Sequence, residues 1–299
     1  MTVGTRRTHP ALSRRAAALR QADPAQMTAA ASLALRPALE SQRRPARVLA
    51  VFPMGAYLEA RGNLEPRVIA LVTGEATRLP NAVVLSGPLP PLSLGDETGV
   101  GDGGIEAGGV AIRIRRWWDP VPSLGDVAPA TLAAGLTWMT EICAASPRVT
   151  GLETSDFPRQ LAAGAMAGSL LETITATERL MGLGPGLTPS GDDMLAGLLM
   201  ALRHLGTACG ADRAVWLADW LAATVVFDAH TRTTPISATL LHCAADGHGC
   251  AEALAVLRGL AGLQPLEIAV QRLLLIGHTS GADLAWGIRT GLSAVLALR

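Results

Sequence analysis

The order of apolar and polar positions divides the chain into two parts with different periodicity. Between residues 46 and 120, short alternating or β-branched runs are separated by Gly, Pro and Asn, a pattern typical of β-strands. These runs occupy residues 46–53, 67–74, 81–87 and 108–120. The stretch 88–109 is so rich in Gly and Pro that it predicts an irregular loop.

The rest of the chain has apolar positions that recur with the period of an α-helix. Helices are predicted at 127–144, 157–180, 191–205, 212–228, 235–245, 250–260, 265–276 and 280–298. We therefore predict an α+β fold, in which a small β-rich N-terminal domain (46–120) precedes a mainly α-helical domain (121–299). Residues 1–45 are predicted to be an Arg- and Ala-rich extension with a helix around 26–40.

The composition excludes several classes of protein. The 25 basic and 25 acidic residues balance, so the net charge does not indicate a nucleic-acid partner, and none is expected. Every basic residue in this count is Arg, and a chain without Lys cannot form the Schiff base of a pyridoxal phosphate enzyme.

The lengths of the apolar runs and the number of cysteines predict the cellular localisation of the protein. No uninterrupted run reaches the roughly 18 apolar residues of a transmembrane helix, so no membrane association is expected. The N-terminal residues lack the apolar segment of a signal peptide. The four cysteines (143, 209, 243 and 250) are expected to be free thiols, and we predict a cytoplasmic protein.

One phrase occurs twice in the predicted helical part. SGDDMLAGL at 190–198 and SGADLAWGI at 280–288 share Ser-Gly-x-Asp, an apolar residue, and a Gly four positions after the Asp. One explanation is structural: each Ser caps a helix, each Asp completes a capping box, and each Gly allows close packing. The residues in these roles are Ser190 and Ser280, Asp193 and Asp283, and Gly197 and Gly287. The alternative is that both helix starts face one cleft, where their partial positive charges bind an anion.

The loop before the first copy, MGLGPGLTPSG at 181–191, contains more turn residues than a helix cap requires. Loops of this kind commonly present backbone amides to a ligand. The residues predicted to bind an anionic ligand here are Gly184, Gly186, Thr188, Ser190 and Gly191. The spacing of the glycines at 186 and 191 is that of a P-loop, but two Asp residues stand where that motif has Lys and Ser or Thr, which excludes a conventional P-loop.

Asp192, Asp193 and His278 are the predicted catalytic residues. Carboxylates repel a bare phosphate, but they suit the N–H groups of a carbamoyl, amide or ureido ligand, or a Mg²⁺ ion that bridges to phosphate. The sequence therefore does not decide whether a cofactor is needed, and Mg²⁺ is the candidate if one is. His278 directly precedes the second copy and is either an acid–base group or only the residue before a cap.

A third helix start, TRTTPIS at 231–237, lies between the two copies. Its Arg232 is suited to an oxyanion, although a surface salt bridge is the alternative. The further residues predicted to bind the ligand are Arg232, Thr233 and Thr234 from this segment, and Ser280, Gly281 and Asp283 from the second copy. We expect Ser190, Ser280 and Arg232 to line one pocket, which is the geometric test of a shared site.

Two expectations concern metals and Asp192. The cluster HCAADGHGC at 242–250 lacks the second ligand pair of a zinc site, so a helix end is favoured there and no metal ligand is predicted. For Asp192→Asn we expect a small change in stability and at least a tenfold loss of affinity or rate, about 1.4 kcal/mol.

Three motifs in this order resemble a bacterial protein family. GLGPGLTPSGDDMLAG at 182–197, RTTPIS at 232–237 and GHTSGADLAWG at 277–287 are similar to a largely uncharacterised family that includes the AllH-type subunit of oxamate carbamoyltransferase. The resemblance covers roughly residues 46–299 and is weak in the β-rich half. It implies a protein that acts with other carbamoyltransferase subunits in purine and allantoin catabolism, converting oxalurate and phosphate to oxamate and carbamoyl phosphate.

The resemblance and the predicted site favour one function and leave one alternative. The first is an enzyme subunit that binds a small anionic carbamoyl or ureido substrate and works by positioning and oxyanion stabilisation. The alternative is a non-catalytic regulatory or scaffold subunit that senses a small anionic metabolite.

Overall fold

The computed structural model describes residues 25–299, and its N-terminal part is a closed β-barrel of eight strands. The strands are β1 (Ala25–Ser32), β2 (Arg44–Phe52), β3 (Gly55–Ala60), β4 (Val68–Val72), β5 (Ala82–Leu85), β6 (Glu97–Gly101), β7 (Gly104–Ala107) and β8 (Val110–Trp118). A short helix, α1 (Arg36–Glu40), lies between β1 and β2.

The strands follow one another around the barrel in the order β1-β5-β4-β3-β2-β6-β7-β8, and β8 closes it by pairing in parallel with β1. The β4–β5 pair is also parallel, and the other pairs are antiparallel. Small and branched apolar side chains make one core cluster from these strands, with members such as Ala31, Val48, Leu58, Ile69 and Ile112. Small residues suit this cluster because eight strands enclose little space.

The chain continues as a helical part with a large apolar core of its own. Its helices are α2 (Pro129–Ala145), α3 (Phe157–Ala167), α4 (Leu170–Leu180), α5 (Ser190–Ala208), α6 (Asp212–Arg232), α7 (Pro235–Ala245), α8 (Ala251–Leu260), α9 (Leu266–Leu274) and α10 (Ser280–Ala297). Within residues 25–299, no helix combines the length and the apolar character needed to cross a membrane. The barrel meets the helices at β4, where the amide of Val68 donates to Thr239 Oγ1 of α7 at 3.2 Å.

The predicted fold class was wrong in its description of the N-terminal part. The small β-rich domain of the α+β prediction is an eight-stranded closed barrel. The helix predicted around 26–40 was wrong for Ala25–Ser32, which forms β1 of this barrel. Residues 1–24 of the predicted extension lie outside the described residues.

Two further element predictions need correction. The stretch 88–109, predicted as an irregular loop, contains the paired strands β6 and β7. The single helix predicted at 157–180 is two helices, because Gly168 takes a φ of 66° and ends α3. A left-handed residue of this kind is a common helix terminator, and Gly adopts it without steric cost.

The two copies of the repeated phrase begin α5 and α10, which pack side by side with their N-termini together. The crossing is at Gly197 and Gly287: a Cβ atom on Gly287 would lie 3.0 Å from the Cα of Gly197. It would also overlap the carbonyl oxygen of Met194 and lie 2.8 Å from the amide nitrogen of Leu198. The close approach predicted for the two glycines is therefore present.

Candidate functional site

The starts of α5 and α10 are in direct contact. Thr188 Oγ1 lies 3.3 Å from Ser280 Oγ, and Ser190 Oγ lies 3.4 Å from Thr279 Oγ1. Each contact joins a residue at one copy of the phrase to a residue at the other. The first part of the geometric expectation, that the two helix starts share one place in the molecule, agrees with these contacts.

The predicted capping boxes are absent. Ser190 and Ser280 are the first residues of their helices and not the caps, which are Pro189 and Thr279. Neither cap residue accepts a hydrogen bond from the first turn through its side chain. The serine hydroxyls are therefore directed to the other copy instead of to their own helix.

The amides of the first turns are largely occupied within the protein. Gly191 donates to the carbonyl of Leu183 at 2.9 Å, and Gly281 donates to that of Ile276 at 3.0 Å. Asp192 donates to Pro189 at 2.9 Å. The expectation that these amides surround an anion is weakened, because a donor that is already bonded offers little to a ligand.

The second glycine of each copy has a packing role. A Cβ atom on Gly191 would overlap the carbonyl of Leu180 at the end of α4, and one on Gly281 would overlap that of Leu273 in α9. In each copy, the chain makes a tight turn after the preceding helix, and a carbonyl group from the end of that helix packs directly against the Gly. The repeated phrase encodes the same local structure twice.

A cavity of about 250 Å³ opens beside these helix starts, between the barrel and the helical part. It is lined mainly by apolar side chains from α5, α7, α8, α10 and the barrel. Its polar lining residues are Tyr57, Thr188, Asp193, His248 and Ser280. A concave, mostly apolar space with a few convergent polar groups is the usual form of a small-molecule site.

Asp193 is the acidic residue of this cavity. It is buried, and its Oδ2 has no hydrogen-bond partner among the described residues. Burial raises the pKa of Asp193 well above its usual value, and the nearby Asp283 and Asp192 raise it further, while the hydroxyls of Ser280 and Thr188 oppose this. The carboxyl group can therefore hold a proton at a pH where an exposed Asp is ionised.

Asp283, the equivalent residue of the second copy, is in a different environment. It is fully buried outside the cavity lining, and its Oδ1 accepts a hydrogen bond from the amide of Gly151 at 3.0 Å. Burial raises the pKa of Asp283, and the hydroxyl of Ser190 opposes this shift. Each Asp thus faces the Ser of the other copy, which explains why both residues occur in both copies.

These raised pKa values predict the pH dependence of stability. For Asp193 and Asp283 the folded pKa exceeds the unfolded value of about 3.9, so the folded state binds more protons just above that pH. Their contribution to the free energy of unfolding is fully present below about pH 3.9 and is lost as the pH rises through the raised pKa, by at most about 1.4 kcal/mol per pH unit for each proton. Urea unfolding measured at a series of pH values gives the free energy of unfolding at each pH. This free energy should fall less steeply with rising pH for Asp193→Asn than for the wild type. Equal slopes would mean that this carboxyl titrates normally.

Asp192 has a structural role in this arrangement. Its Oδ1 accepts from the amide of Gly182 at 2.7 Å, and its Oδ2 accepts from Thr233 Oγ1 and from Ser237 Oγ at 2.6 Å. It is buried and does not line the cavity. It therefore ties the Gly-rich loop and the start of α7 to α5, and its orientation leaves no oxygen free for a ligand.

Arg232 is not part of the cavity. Its Nε pairs with Asp228 at 2.9 Å, and its Nη1 lies 3.5 Å from the carbonyl of Glu178 at the end of α4. The surface salt bridge considered as an alternative is therefore the arrangement observed. Among the residues that the structure describes, no arginine lines the cavity, so the expected third wall of the pocket is not formed by Arg232.

The remaining predicted residues lie around the site without lining it. Thr234 caps α7, accepting from the amide of Ser237 at 3.1 Å, and its hydroxyl donates to the carbonyl of Leu187. Gly184 and Gly186 have φ values of 117° and 99° and shape the loop. His278 is exposed, and its carbonyl accepts from Arg148 at 3.3 Å.

Three titratable lining residues were not among the predicted site residues: Tyr57, His248 and Cys250. Tyr57 comes from β3 of the barrel, and its pKa is raised by burial and by the charge of Asp193. Burial lowers the pKa of His248, which keeps its ring neutral at a pH near 7. Nothing near Tyr57 in the sequence indicates a site, because the contact depends on how the barrel docks on the helices.

Comparison with protein families finds a match in the helical part of the chain. Residues 180–292 match the family described as "Oxamate carbamoyltransferase subunit AllH". No solved structure matches the chain significantly. The matched region contains both copies of the repeated phrase, the Thr-rich start of α7 between them, and most of the cavity lining. Over these residues the chain is similar to the family of the oxamate carbamoyltransferase subunit AllH.

Proposed function

We propose that this chain is the subunit of an oxamate carbamoyltransferase that holds the carbamoyl or ureido group of the substrate in the cavity at Asp193. The observation that carries the proposal is the unpartnered Oδ2 of this buried carboxyl group, placed where two helix starts meet in a mostly apolar cavity. A buried polar atom without a partner is costly, and a ligand that bonds to it removes this cost.

The chemistry of a carbamoyl group fits these surroundings. Its NH₂ group can donate to an ionised carboxylate, and its carbonyl can accept from a protonated carboxyl group or from the hydroxyls of Thr188 and Ser280. In the proposed reaction a phosphate oxygen bonds to the carbamoyl carbon of oxalurate, the bond from that carbon to the oxamate nitrogen breaks, and this nitrogen takes up a proton. Asp193, whose pKa is raised, is the group of this chain suited to supply that proton.

The anionic end of the substrate is the part that this chain accommodates least well. No arginine among residues 25–299 lines the cavity, and the first-turn amides of α5 and α10 are mostly bonded internally. We infer that the group that neutralises phosphate or the oxamate carboxylate comes from another subunit of the complex. The active form would then be the assembled complex, and the chain alone would bind substrate weakly.

The test is an assay of phosphate-dependent breakdown of oxalurate, measured as carbamoyl phosphate formed. The purified chain is assayed alone and after mixing with the proteins encoded beside it. Activity that requires both this chain and its partners supports the proposal. Full activity of the partners without this chain would contradict it.

Asp193→Asn tests the role of the cavity, and the repeated phrase supplies a matched control. We expect Asp193→Asn to lower the activity of the complex or the affinity for oxalurate at least tenfold, a change of about 1.4 kcal/mol. Asp283→Asn changes a second buried carboxyl group in the same sequence context, whose Oδ2 also has no hydrogen-bond partner among the described residues but which lies outside the cavity lining. We expect it to leave affinity within about threefold, which is under 1 kcal/mol. Equal losses in both variants, in proteins that melt as the wild type does, would contradict a specific role for Asp193.

A regulatory subunit that senses the same ligand is the second candidate. The absence of arginine from the described cavity lining favours it, because ligand binding without charge neutralisation gives little catalysis. The two candidates differ in one measurement. With a sensing subunit, Asp193→Asn changes the concentration of oxalurate at which the complex responds and leaves the maximal rate unaffected, whereas with a catalytic subunit the maximal rate falls.

A further inference from the structure

A second group of polar side chains lies between the barrel and the helices, away from the cavity. Glu65 is in the loop between β3 and β4, His230 is near the end of α6, and His242 is in α7. One carboxylate oxygen and one ring nitrogen from each His lie within 4.8 Å of one another. Glu65 Oε1 and His230 Nε2 are 3.0 Å apart, and the rings of His230 and His242 are 4.8 Å apart between centroids.

These distances are close to those of a bound metal ion. A tetrahedral Zn²⁺ holds nitrogen and oxygen ligands at about 2.0–2.2 Å, which places two ligand atoms roughly 3.3 Å from each other. The Glu65–His230 pair is already near this separation, and His242 needs to move by only about 1–2 Å. His242 Nε2 is buried and has no hydrogen-bond partner among the described residues. Its lone pair can therefore bind a metal ion without breaking an existing hydrogen bond.

The surroundings orient Glu65 and also place a competitor in the site. The amide of Arg67 donates to Glu65 Oε2 at 2.8 Å, which leaves Oε1 directed at the histidines. The guanidinium group of Arg67 lies 2.8 Å from His230 Nε2 and 3.2 Å from Glu65 Oε1. It therefore occupies the place of a cation. The Arg67 side chain is 32 % exposed and can turn towards solvent when a metal ion takes this place.

We propose that Glu65, His230 and His242 bind a divalent transition-metal ion of the Zn²⁺ type, which fastens the β3–β4 loop of the barrel to α6 and α7. Two His and one carboxylate are a common ligand set for Zn²⁺, and they leave a fourth position for water. The site is separate from the cavity at Asp193, because Leu240 and Ala244 of α7 line that cavity and His242, two residues from each, lies on the opposite side of the helix. The proposal does not depend on the proposed function.

Metal binding to the full chain tests the proposal. The purified protein is stripped with a chelator, and Zn²⁺ alone is added in competition with a chromophoric chelator. We expect one ion per chain, a higher melting temperature with Zn²⁺, and, with Co²⁺ in its place, the visible absorption of a tetrahedral site. Arg67→Gln removes a positive charge next to the ion and should increase the affinity for Zn²⁺ about tenfold.

Ligand variants and a control complete the test. His242→Ala and Glu65→Gln should each lower the affinity for Zn²⁺ at least about tenfold, since even the loss of a residue that only supports a ligand costs that much. Because Glu65 is on a loop, we expect Glu65→Gln to fold, and this variant alone tests the proposal if His242→Ala does not fold. His278→Ala, which removes an exposed His elsewhere, should leave binding unchanged. Zn²⁺ binding that survives both ligand variants, or no binding by either the wild type or Arg67→Gln, would overturn the proposal and leave an ion-pair network around Arg67.

Discussion

Gly287→Ala is expected to lower the free energy of unfolding by about 3 kcal/mol or more, the upper part of the range for overpacked cores. The added methyl group would overlap the carbonyl oxygen of Met194 and lie 2.8 Å from the amide nitrogen of Leu198. Both atoms are backbone of α5, so the strain is relieved only if α5 and α10 move apart. Ala gains about 1 kcal/mol over Gly in a helix, which is too little to compensate. Urea denaturation followed by circular dichroism measures the difference.

Gly206→Ala, near the end of α5, is the matched control. A Cβ atom at Gly206 would be 3.1 Å from Val215 Cγ2, a side-chain atom, while Ala214 Cβ at 3.5 Å and the carbonyl oxygen of Ala211 at 3.6 Å would be in ordinary van der Waals contact with it. We expect a change between zero and a gain of about 1 kcal/mol, because helix propensity favours Ala. If the two variants cost the same, the contact between the α5 and α10 backbones is not what makes Gly287 necessary.

Asp192→Asn is expected to cost about 2–4 kcal/mol of stability, because a neutral amide cannot accept from all three donors that now bond to the carboxylate. The donors are the amide of Gly182 and the hydroxyls of Thr233 and Ser237. Burial raises the pKa of Asp192 despite these bonds, which shows that desolvation of the charge is unfavourable. Removing the charge therefore offsets part of the stability lost with the hydrogen bonds. A thermal melt of the variant measures the net effect.

This expectation replaces the one drawn from the sequence, in which Asp192→Asn changes stability little and affinity strongly. Thr233→Val is the control, since it removes one donor and should cost about 1 kcal/mol in the wild type. In the Asp192→Ala background the same change should cost almost nothing, because the bond is already lost. A variant Asp192→Asn that melts like the wild type but no longer binds oxalurate would restore the first interpretation.

The sequence predicts the helical part better than the barrel, for a physical reason. The starts of α5, α7 and α10 were predicted within a residue, because Ser, Thr, Pro and Gly mark helix ends through local backbone chemistry. The strand β1 was predicted as helix because AQMTAAAS is rich in Ala, a strong helix former. The pairing of this segment with β5 and β8, and the burial of Ala29 and Ala31 in the barrel core, outweigh that preference.

The candidate site was predicted in part. Two packed helices that begin with the same motif bring their equivalent residues to one end. Of the three residues expected to line one pocket, Ser190, Ser280 and Arg232, only Ser280 lines the cavity. The repeated phrase does not distinguish Asp193 from Asp283, whose different surroundings come from Tyr57 on one side and Gly151 on the other. Those contacts join distant parts of the chain, so they cannot be predicted from the residues adjacent to Asp193 or Asp283 in the sequence.

The side-by-side packing of α5 and α10 has a consequence for how the protein folds. Thr188 and Ser280 are 92 residues apart in the chain, so this contact closes a long loop. Closing such a loop is slow compared with forming the individual helices. The docking of α10 should therefore be a late event, and until it occurs Asp193 lacks the hydroxyl of Ser280 and one wall of its cavity. Completion of the tertiary structure and acquisition of ligand binding should then follow the same time course in a refolding experiment.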